Sequence, residues 1–234
     1  MSGYNLDRLV TLTTLMSRPV DQDVLFEVAL KESMLIGNCD GGTIYTIEDN
    51  KLMFRYIYTI SKSIAMNYQA GSLDIPPVPM QKQYACAYSA ITKKRLNLKD
   101  VYVSKEFDFT GTRNYDAMNN YRTCSMLVVP MLVGNGEVMG VLQLINAKDK
   151  YGMWIPFTQE QEMRVSSVAS ITALYLENLK LKGQLAELTK KEDSDENDSS
   201  GKSRSSKPKA KAGGIGKKTQ KKSGTSGWHT KSIK

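Results

Sequence analysis

Histidine is nearly absent: among 234 residues the single imidazole is His229, close to the C-terminal end. A histidine-ligated haem or metal centre inside a folded domain is therefore not expected. Cysteine is scarce as well. Cys39, Cys86 and Cys124 are too few, and odd in number, for a disulfide framework, and they lack zinc-site spacing. Each is expected to be a small buried thiol in a reducing, cytoplasmic setting. Long apolar runs are missing: nothing approaches ~18 consecutive apolar residues, the length that spans a bilayer. The opening MSGYNLDRLV shows no basic region followed by an apolar run, so no signal peptide is expected.

Net charge is missing where a fold would form. The formal charge is +8, yet residues 190–234 hold 13 basic and 5 acidic side chains, the whole of that surplus. Residues 1–189 hold 19 of each sign and balance. The segment 191–234 passes from Lys191 into EDSDEND and continues as a Lys/Ser/Gly-rich run with almost no large apolar residue. Such a segment cannot bury enough surface to offset its chain entropy and is expected to be disordered. Its cations could meet phosphates without regard to sequence, in a salt-sensitive manner.

What is present is a 41% hydrophobic chain with clear local signals. Asn5 can cap a helix carrying Leu6, Leu9, Val10 and Leu12, which stops near Ser17 because Pro19 follows, so residues 1–20 read as an N-terminal helix. A second helix runs from about Asp21 through Leu25, Val28, Ala29 and Met34 to Gly37-Asn38. GGTIYTIEDNKLMFRYIYTIS reads as a hairpin turning at Glu48 to Lys51. IPPVP, Ile75 to Pro79, should break regular structure. A short helix around Ala85 to Lys93 leads into NLKDVYV, read as a strand, and Ser104 to Arg122 reads as loop and short helix. Cys124–Leu132 and Val138–Ile145 then pair across Asn135-Gly136, which suits a type I′ turn. The second of these strands is apolar at both parities apart from Gly140 and Gln143, so the sheet should be covered on both faces. Gln143 then needs a hydrogen-bond partner. Thr158 and Gln161 match a capping box that starts a long helix.

Along that helix Ile171, Leu174, Asn178, Leu181, Leu185 and Leu188 are spaced 3, 4, 3, 4, 3, the a/d pattern of a coiled coil. Asn178 falls at an a position, where a buried amide sets register. Glu177 and Lys182 fall at g and e. A homodimer is expected, with residues 171–190 as its signalling helix.

The order of these elements, and the segments FDFTGTRNYDAMNNYRTCSMLVVPM, EVMGVLQLINAKD and IPFTQEQE with SAITKKRLNLKDVY in support, resemble a GAF domain. The likeness spans about Asp21 to Leu181, with residues 21–170 as the domain proper. It is nearest to GAF domains of cyclic-nucleotide phosphodiesterases and those ahead of bacterial HD-GYP phosphodiesterase domains. It implies an α+β fold in which a central antiparallel sheet carries terminal helices on one face and a small-molecule pocket on the other. In that family a motif of asparagine, lysine, phenylalanine, aspartate and glutamate accompanies nucleotide binding. Here Asn146, Phe157 and Glu162 match, whereas Ala147 and Gln161 stand where the lysine and aspartate pair. Losing both partners strands no charge, but it weakens a cyclic nucleotide as ligand, with Lys148 a candidate substitute cation. DIPP at Asp74 to Pro77 resembles a bilin-binding motif, whose domains also use a histidine, so no bilin is expected.

Pocket candidates are Tyr88, Ser89, Phe107, Asp108, Phe109, Thr112, Tyr115, Tyr121, Arg122 and Gln143, an aromatic set with a few polar groups that suits a small planar ligand. The alternative is that Phe107, Phe109 and Tyr121 fill the core and Arg122 pairs with Asp108 or Asp116. Cys86 is similar in position to a cysteine of the GAF-type free methionine sulfoxide reductases, but their chemistry needs a second thiol, and Asn119 stands near that place. The expected function is therefore a non-catalytic small-molecule sensor acting through a dimeric helix. No specific cofactor and no membrane contact are expected. Output would pass to a separate domain or protein, because no output enzyme follows within these residues. The alternative function is nucleic-acid or acidic-surface binding through the basic tail, and a GAF-type methionine sulfoxide reductase is a disfavoured third.

Overall fold

The computed structural model describes residues 21–67 and 75–200, with side chains to residue 190, and positions 7, 10, 11, 13 and 14, which are helical. The remainder of the expected N-terminal helix, Asp74, and the tail beyond Ser200 lie outside the described residues. Helix α1 (Gln22–Gly37) is followed by strands β1 (Cys39–Glu48), β2 (Lys51–Thr59), β3 (Ile64–Asn67) and β4 (Val78–Pro79). Then come α2 (Ala85–Thr92), β5 (Leu96–Leu98), α3 (Thr110–Met118), β6 (Met126–Leu132), β7 (Val138–Lys148), β8 (Trp154–Ile155) and α4 (Gln159–Ser200). The strands form one 8-stranded sheet in the order β3-β2-β1-β7-β6-β5, with β4 paired to β2 and β8 to β7. All pairings are antiparallel. Two compact units divide between Glu187 and Leu188. The first holds the sheet and its packed helices; of the second, only the end of α4 is described.

Alternation along β7 builds both cores. Leu142 and Leu144 join Leu25, Phe26, Leu30, Val165, Val168, Ala169 and Leu176 under α1 and α4. Val141 and Ile145 point the other way and join Tyr45, Leu52, Cys86, Val101, Phe109 and Met126 under α2 and the loops. The expectation of a sheet covered on both faces is met. Glycine makes the close approaches feasible at two positions. A Cβ on Gly140 would stand 2.0 Å from the Tyr45 carbonyl oxygen, and one on Gly42 would stand 2.8 Å from Leu30 of α1.

Helix ends follow the local signals. The Asp21 carboxylate accepts from the Asp23 N–H at 2.8 Å, and Asn38 ends α1 in the left-handed region at φ 43°. At α4, the Thr158 N–H donates to Gln161 Oε1 at 2.8 Å and the Gln161 N–H to Thr158 Oγ1 at 3.2 Å, a reciprocal capping box.

Several local expectations are corrected. The type I′ turn belongs to the first hairpin: Asp49 and Asn50 have φ of 45° and 57° between the paired Glu48 and Lys51. At the second hairpin only Gly136 is left-handed, at φ 80°. The Gly136 N–H reaches the Val133 carbonyl at 2.9 Å, which makes a longer loop with a glycine bulge rather than a two-residue turn. Val78–Pro79 is a strand after all, lying at a sheet edge where proline's missing N–H is tolerated. Of NLKDVYV only Asn97 and Leu98 are in a strand, as the end of β5 (Leu96–Leu98). Asp100 Oδ1 accepts from the Tyr102 N–H at 2.9 Å, bending the chain into a turn. Finally, α4 continues to Ser200, so the segment expected to be disordered from residue 191 begins as helix. Packing has already nucleated α4, and no glycine or proline interrupts it between Gly183 and Gly201.

Candidate functional site

The sheet face opposite α1 and α4 encloses a cavity of about 540 Å³. Tyr45, Phe54, Tyr84, Phe109 and Tyr115 supply aromatic walls; Thr43, Thr59 and Gln143 supply polar groups from the sheet, Thr123 from the segment before β6, and Asp108, Thr110, Thr112 and Asn114 from the α3 region. Gln143 lies on β7 at the parity of Val141 and Ile145, so its amide faces the cavity. Thr59 Oγ1 and the Tyr115 hydroxyl are 3.0 Å apart and close one side. Asp108 sits at the mouth, where its carboxylate accepts from the Thr110 N–H at 2.8 Å. Hydrogen bonds from the Thr110 side chain and backbone hold its pKa below the ordinary value.

Of the sequence-derived candidates, Asp108, Phe109, Thr112, Tyr115 and Gln143 line this cavity and the others do not. Tyr88 packs edge-on against Phe107, which packs in turn against Phe109. Ser89 is fully buried and donates to the Lys94 carbonyl at 2.7 Å, closing the end of α2. Arg122 lies over the Tyr102 ring and pairs with Asp100 at 3.1 Å, rather than with Asp108 or Asp116. Thr43, Tyr45, Phe54, Thr59, Tyr84 and Thr123 were missed. The odd-numbered Thr43 and Tyr45 could have been found from strand alternation in β1.

Tyr121 belongs to a buried polar cluster beside the cavity. Its hydroxyl donates to Asp40 Oδ2 at 2.9 Å and accepts from Asn146 Nδ2 at 2.9 Å. Asp40 has no exposed side-chain surface, and Lys148 Nζ approaches its Oδ1 to 2.6 Å. Ser61 donates to Oδ2 at 2.5 Å. Burial raises the Asp40 pKa, but the hydrogen bonds from Lys148, Ser61 and Tyr121 outweigh it and hold the carboxyl below its ordinary value. The Tyr121 hydroxyl is pushed the opposite way, by burial and then by the Asp40 charge. Lys148 is thus a cation paired inside the fold, and it does not line the cavity.

The family-motif residues act as tethers. Asn146 is fully buried with φ 58°. Its Oδ1 accepts from the Cys124 N–H at 2.6 Å, and its Nδ2 also reaches the Arg122 carbonyl at 2.8 Å. The left-handed turn of the chain there switches the strand's faces, placing Ala147 in the helix-side core instead of toward the pocket. The Phe157 ring is buried in that same core. Glu162 pairs with Arg95 at 3.3 Å. Gln161 completes the capping box and also donates from Nε2 to the Gly37 carbonyl at 2.7 Å, tying α4 to the end of α1.

On α4, Leu174, Leu181, Leu185 and Leu188 are about half exposed, at 49%, 54%, 63% and 58%. Ile171 is instead packed against the helix-side core. Its position also continues the buried stripe of Val168, Thr172 and Tyr175, so the domain's packing extends past residue 170. Among the described residues no helix is long and apolar enough to cross a membrane.

The sequence profile of the GAF domain matches residues 21–176. No curated protein matches the chain. Similar solved structures include the GAF domain of a phosphoenolpyruvate-protein phosphotransferase from Acinetobacter, at 14% identity and TM-score 0.58, covering 79% of this chain and 99% of that one. The corresponding domain from Coxiella burnetii is 12% identical with TM-score 0.59, covering 77% and 96%. The free methionine-R-sulfoxide reductase from Neisseria meningitidis, solved with its substrate, is 12% identical with TM-score 0.52, covering 74% and 88%. At such identities the likeness is one of fold.

Proposed function

The chain belongs to the GAF domain family, whose members are generally small-molecule-sensing regulatory modules, and we propose that it is a non-catalytic sensor in which occupancy of the cavity biases helix α4. One observation carries this reading: the cavity and the start of α4 are joined by one ring contact followed by a run of hydrogen bonds and an ion pair. Tyr115, on the cavity wall, packs edge-on against Tyr121, which holds Asp40 and through it Lys148. The Lys148 N–H donates to the Asn38 carbonyl at 2.7 Å, and Asn38 Nδ2 to the Lys148 carbonyl at 2.7 Å. Gly37, next in the chain, receives Gln161 of the α4 capping box. A ligand that moves Tyr115 therefore acts on the anchor of α4. The exposed leucines of α4, with Asn178 among them, suit a parallel seam with a second copy.

A catalytic role finds little support in the thiols. Burial pushes the Cys86 pKa up to about 12, leaving the thiol protonated at neutral pH. Asn119, near the place of a resolving cysteine, donates its amide to the Tyr115 carbonyl at 2.8 Å. Asn146, Phe157 and Glu162 support the narrower likeness to phosphodiesterase GAF domains, while Ala147 and Gln161 count against a cyclic nucleotide as ligand.

Native mass spectrometry of the purified full chain tests the reading. A retained small molecule that is lost in Thr112→Trp, which fills the cavity rim, is the expected result. Retention that is indifferent to Thr112→Trp would place sensing elsewhere. The tail's basic surplus supports a second role in non-specific phosphate binding, tested by salt titration with DNA before and after removal of residues 201–234.

A further inference from the structure

Resting on the cavity being the sensing site, we propose that it takes a planar aromatic molecule that is uncharged or positively charged, with Gln143 and Asp108 as its polar partners, and that it refuses anions. Lining charge decides this. Among the described residues that line the cavity, Asp108 is the one charged side chain, and neither lysine nor arginine is present. The nearby guanidiniums are turned away: those of Arg113 and Arg122 lie 5.5 Å and 4.3 Å from the centre of the Tyr102 ring. Lys148 is held by Asp40. The first turn of α3, whose backbone N–H groups could have received an anion, already has the Asp108 carboxylate on the Thr110 N–H. A phosphate or carboxylate entering the cavity would lose its hydration and meet no counter-charge.

Ring recognition comes from the walls. Tyr45 and Phe54 stand 4.8 Å apart and tilted by 51°, and Tyr84, Phe109 and Tyr115 complete an aromatic surround. Aromatic faces attract flat rings and cations and repel anions. Gln143 supplies direction, because its half-buried side-chain amide faces the cavity and makes no hydrogen bond within the described residues. A buried amide left without a partner is costly, and a ligand carrying a donor and an acceptor on one edge, such as a phenol hydroxyl, satisfies it. Asp108 lies exposed at the mouth, where a ligand cation would meet it in solvent. Its contribution is accordingly modest.

Three phenols of one shape separate these contributions: 2-(4-hydroxyphenyl)ethylamine, the corresponding alcohol, and 4-hydroxyphenylacetate. Calorimetry on the full chain should place the amine up to about fivefold tighter than the alcohol, the range of an exposed ion pair. The acetate should bind at least about tenfold weaker than the alcohol. Asp108→Asn keeps the turn at α3 and should bring the amine-to-alcohol ratio to about one. Gln143→Leu should weaken amine and alcohol together by roughly fivefold, while the protein stays folded because no internal bond is lost. Acetate binding equal to or tighter than the alcohol overturns the charge assignment, as does an unchanged ratio in Asp108→Asn. If none of the three binds at millimolar concentration while the purified chain retains some other molecule, the ligand class is wrong and the sensing role survives. No binding together with an empty chain sinks both.

Discussion

Replacing Asn146 with alanine removes three hydrogen bonds from a fully buried site and leaves a Cβ-bearing residue at φ 58°. The Cys124 N–H and the Arg122 carbonyl lose their partner, whereas the Tyr121 hydroxyl keeps Asp40. Each stranded backbone group costs about 1–3 kcal/mol. The left-handed backbone, which asparagine tolerates better than alanine, adds about 1 kcal/mol. A total of roughly 3–5 kcal/mol follows when the backbone groups recover some solvation, a large fraction of the ~5–15 kcal/mol that holds a domain together. The variant should melt roughly 6–20 °C below wild type. Asn146→Gly separates the contributions, since it loses the same side-chain bonds but adopts positive φ freely. It should be about 1 kcal/mol more stable than the alanine variant. Urea titration followed by far-ultraviolet circular dichroism measures both. A loss below about 1 kcal/mol in Asn146→Ala, or a glycine variant less stable than the alanine one, would refute the assignment of Asn146 as a tether.

Further outcomes follow from the same structure. Leu181→Asp should leave the domain folded, because that leucine is 54% exposed beyond the packed part of α4, yet give monomers in sedimentation; Asn178→Leu should strengthen association and relax its order. A monomeric wild type at tens of micromolar, or a dimeric Leu181→Asp protein, removes the seam. Ala147→Lys should destabilise by several kcal/mol by burying an ammonium in the helix-side core, and Gln161→Asp should recover part of that loss in the double variant, as read by urea titration. For Asp40 the folded pKa lies below its unfolded value, so its stabilisation is present above about pH 4 and fades as the pH falls through the folded pKa. Lys148→Met should flatten the acid limb of a stability-against-pH curve and lower stability at pH 7 by up to about 3 kcal/mol, the remaining donors Ser61 and Tyr121 limiting the cost. Cyclic AMP and cyclic GMP should give no saturable heat in calorimetry.

Much of the fold was legible from near neighbours in the chain. Asp21, Asn38, Thr158 and Gln161 mark helix ends through bonds spanning a few residues, and the two-sided apolarity of β7 announces a sheet covered on both faces. Gln143 stood out because an amide in such a strand requires a reason. Turn chemistry was less secure: asparagine tolerates positive φ, but whether a given Asx-Gly pair adopts it depends on strand register, which is set across the sheet. The switch of faces at Asn146 was invisible for the same reason. Its φ is held by partners on the chain segment at Tyr121–Cys124, and without that switch Ala147 reads as a pocket residue.

What only the tertiary structure decided is which polar groups meet. Asp40 and Lys148 are separated by 108 residues, and no local pattern links them; they pair because β1 and β7 lie side by side. Of the ring-bearing and polar residues between Tyr84 and Arg122, those that line the cavity are chosen by how α3 and its loops settle on the sheet. Local preference determined where helices and strands begin, end and hide their apolar faces, since those signals act over a turn or a pleat. The cavity, its lack of lysine and arginine among the described lining residues and its link to α4 arise from contacts between segments distant in sequence, and these exist only once the sheet has closed its register.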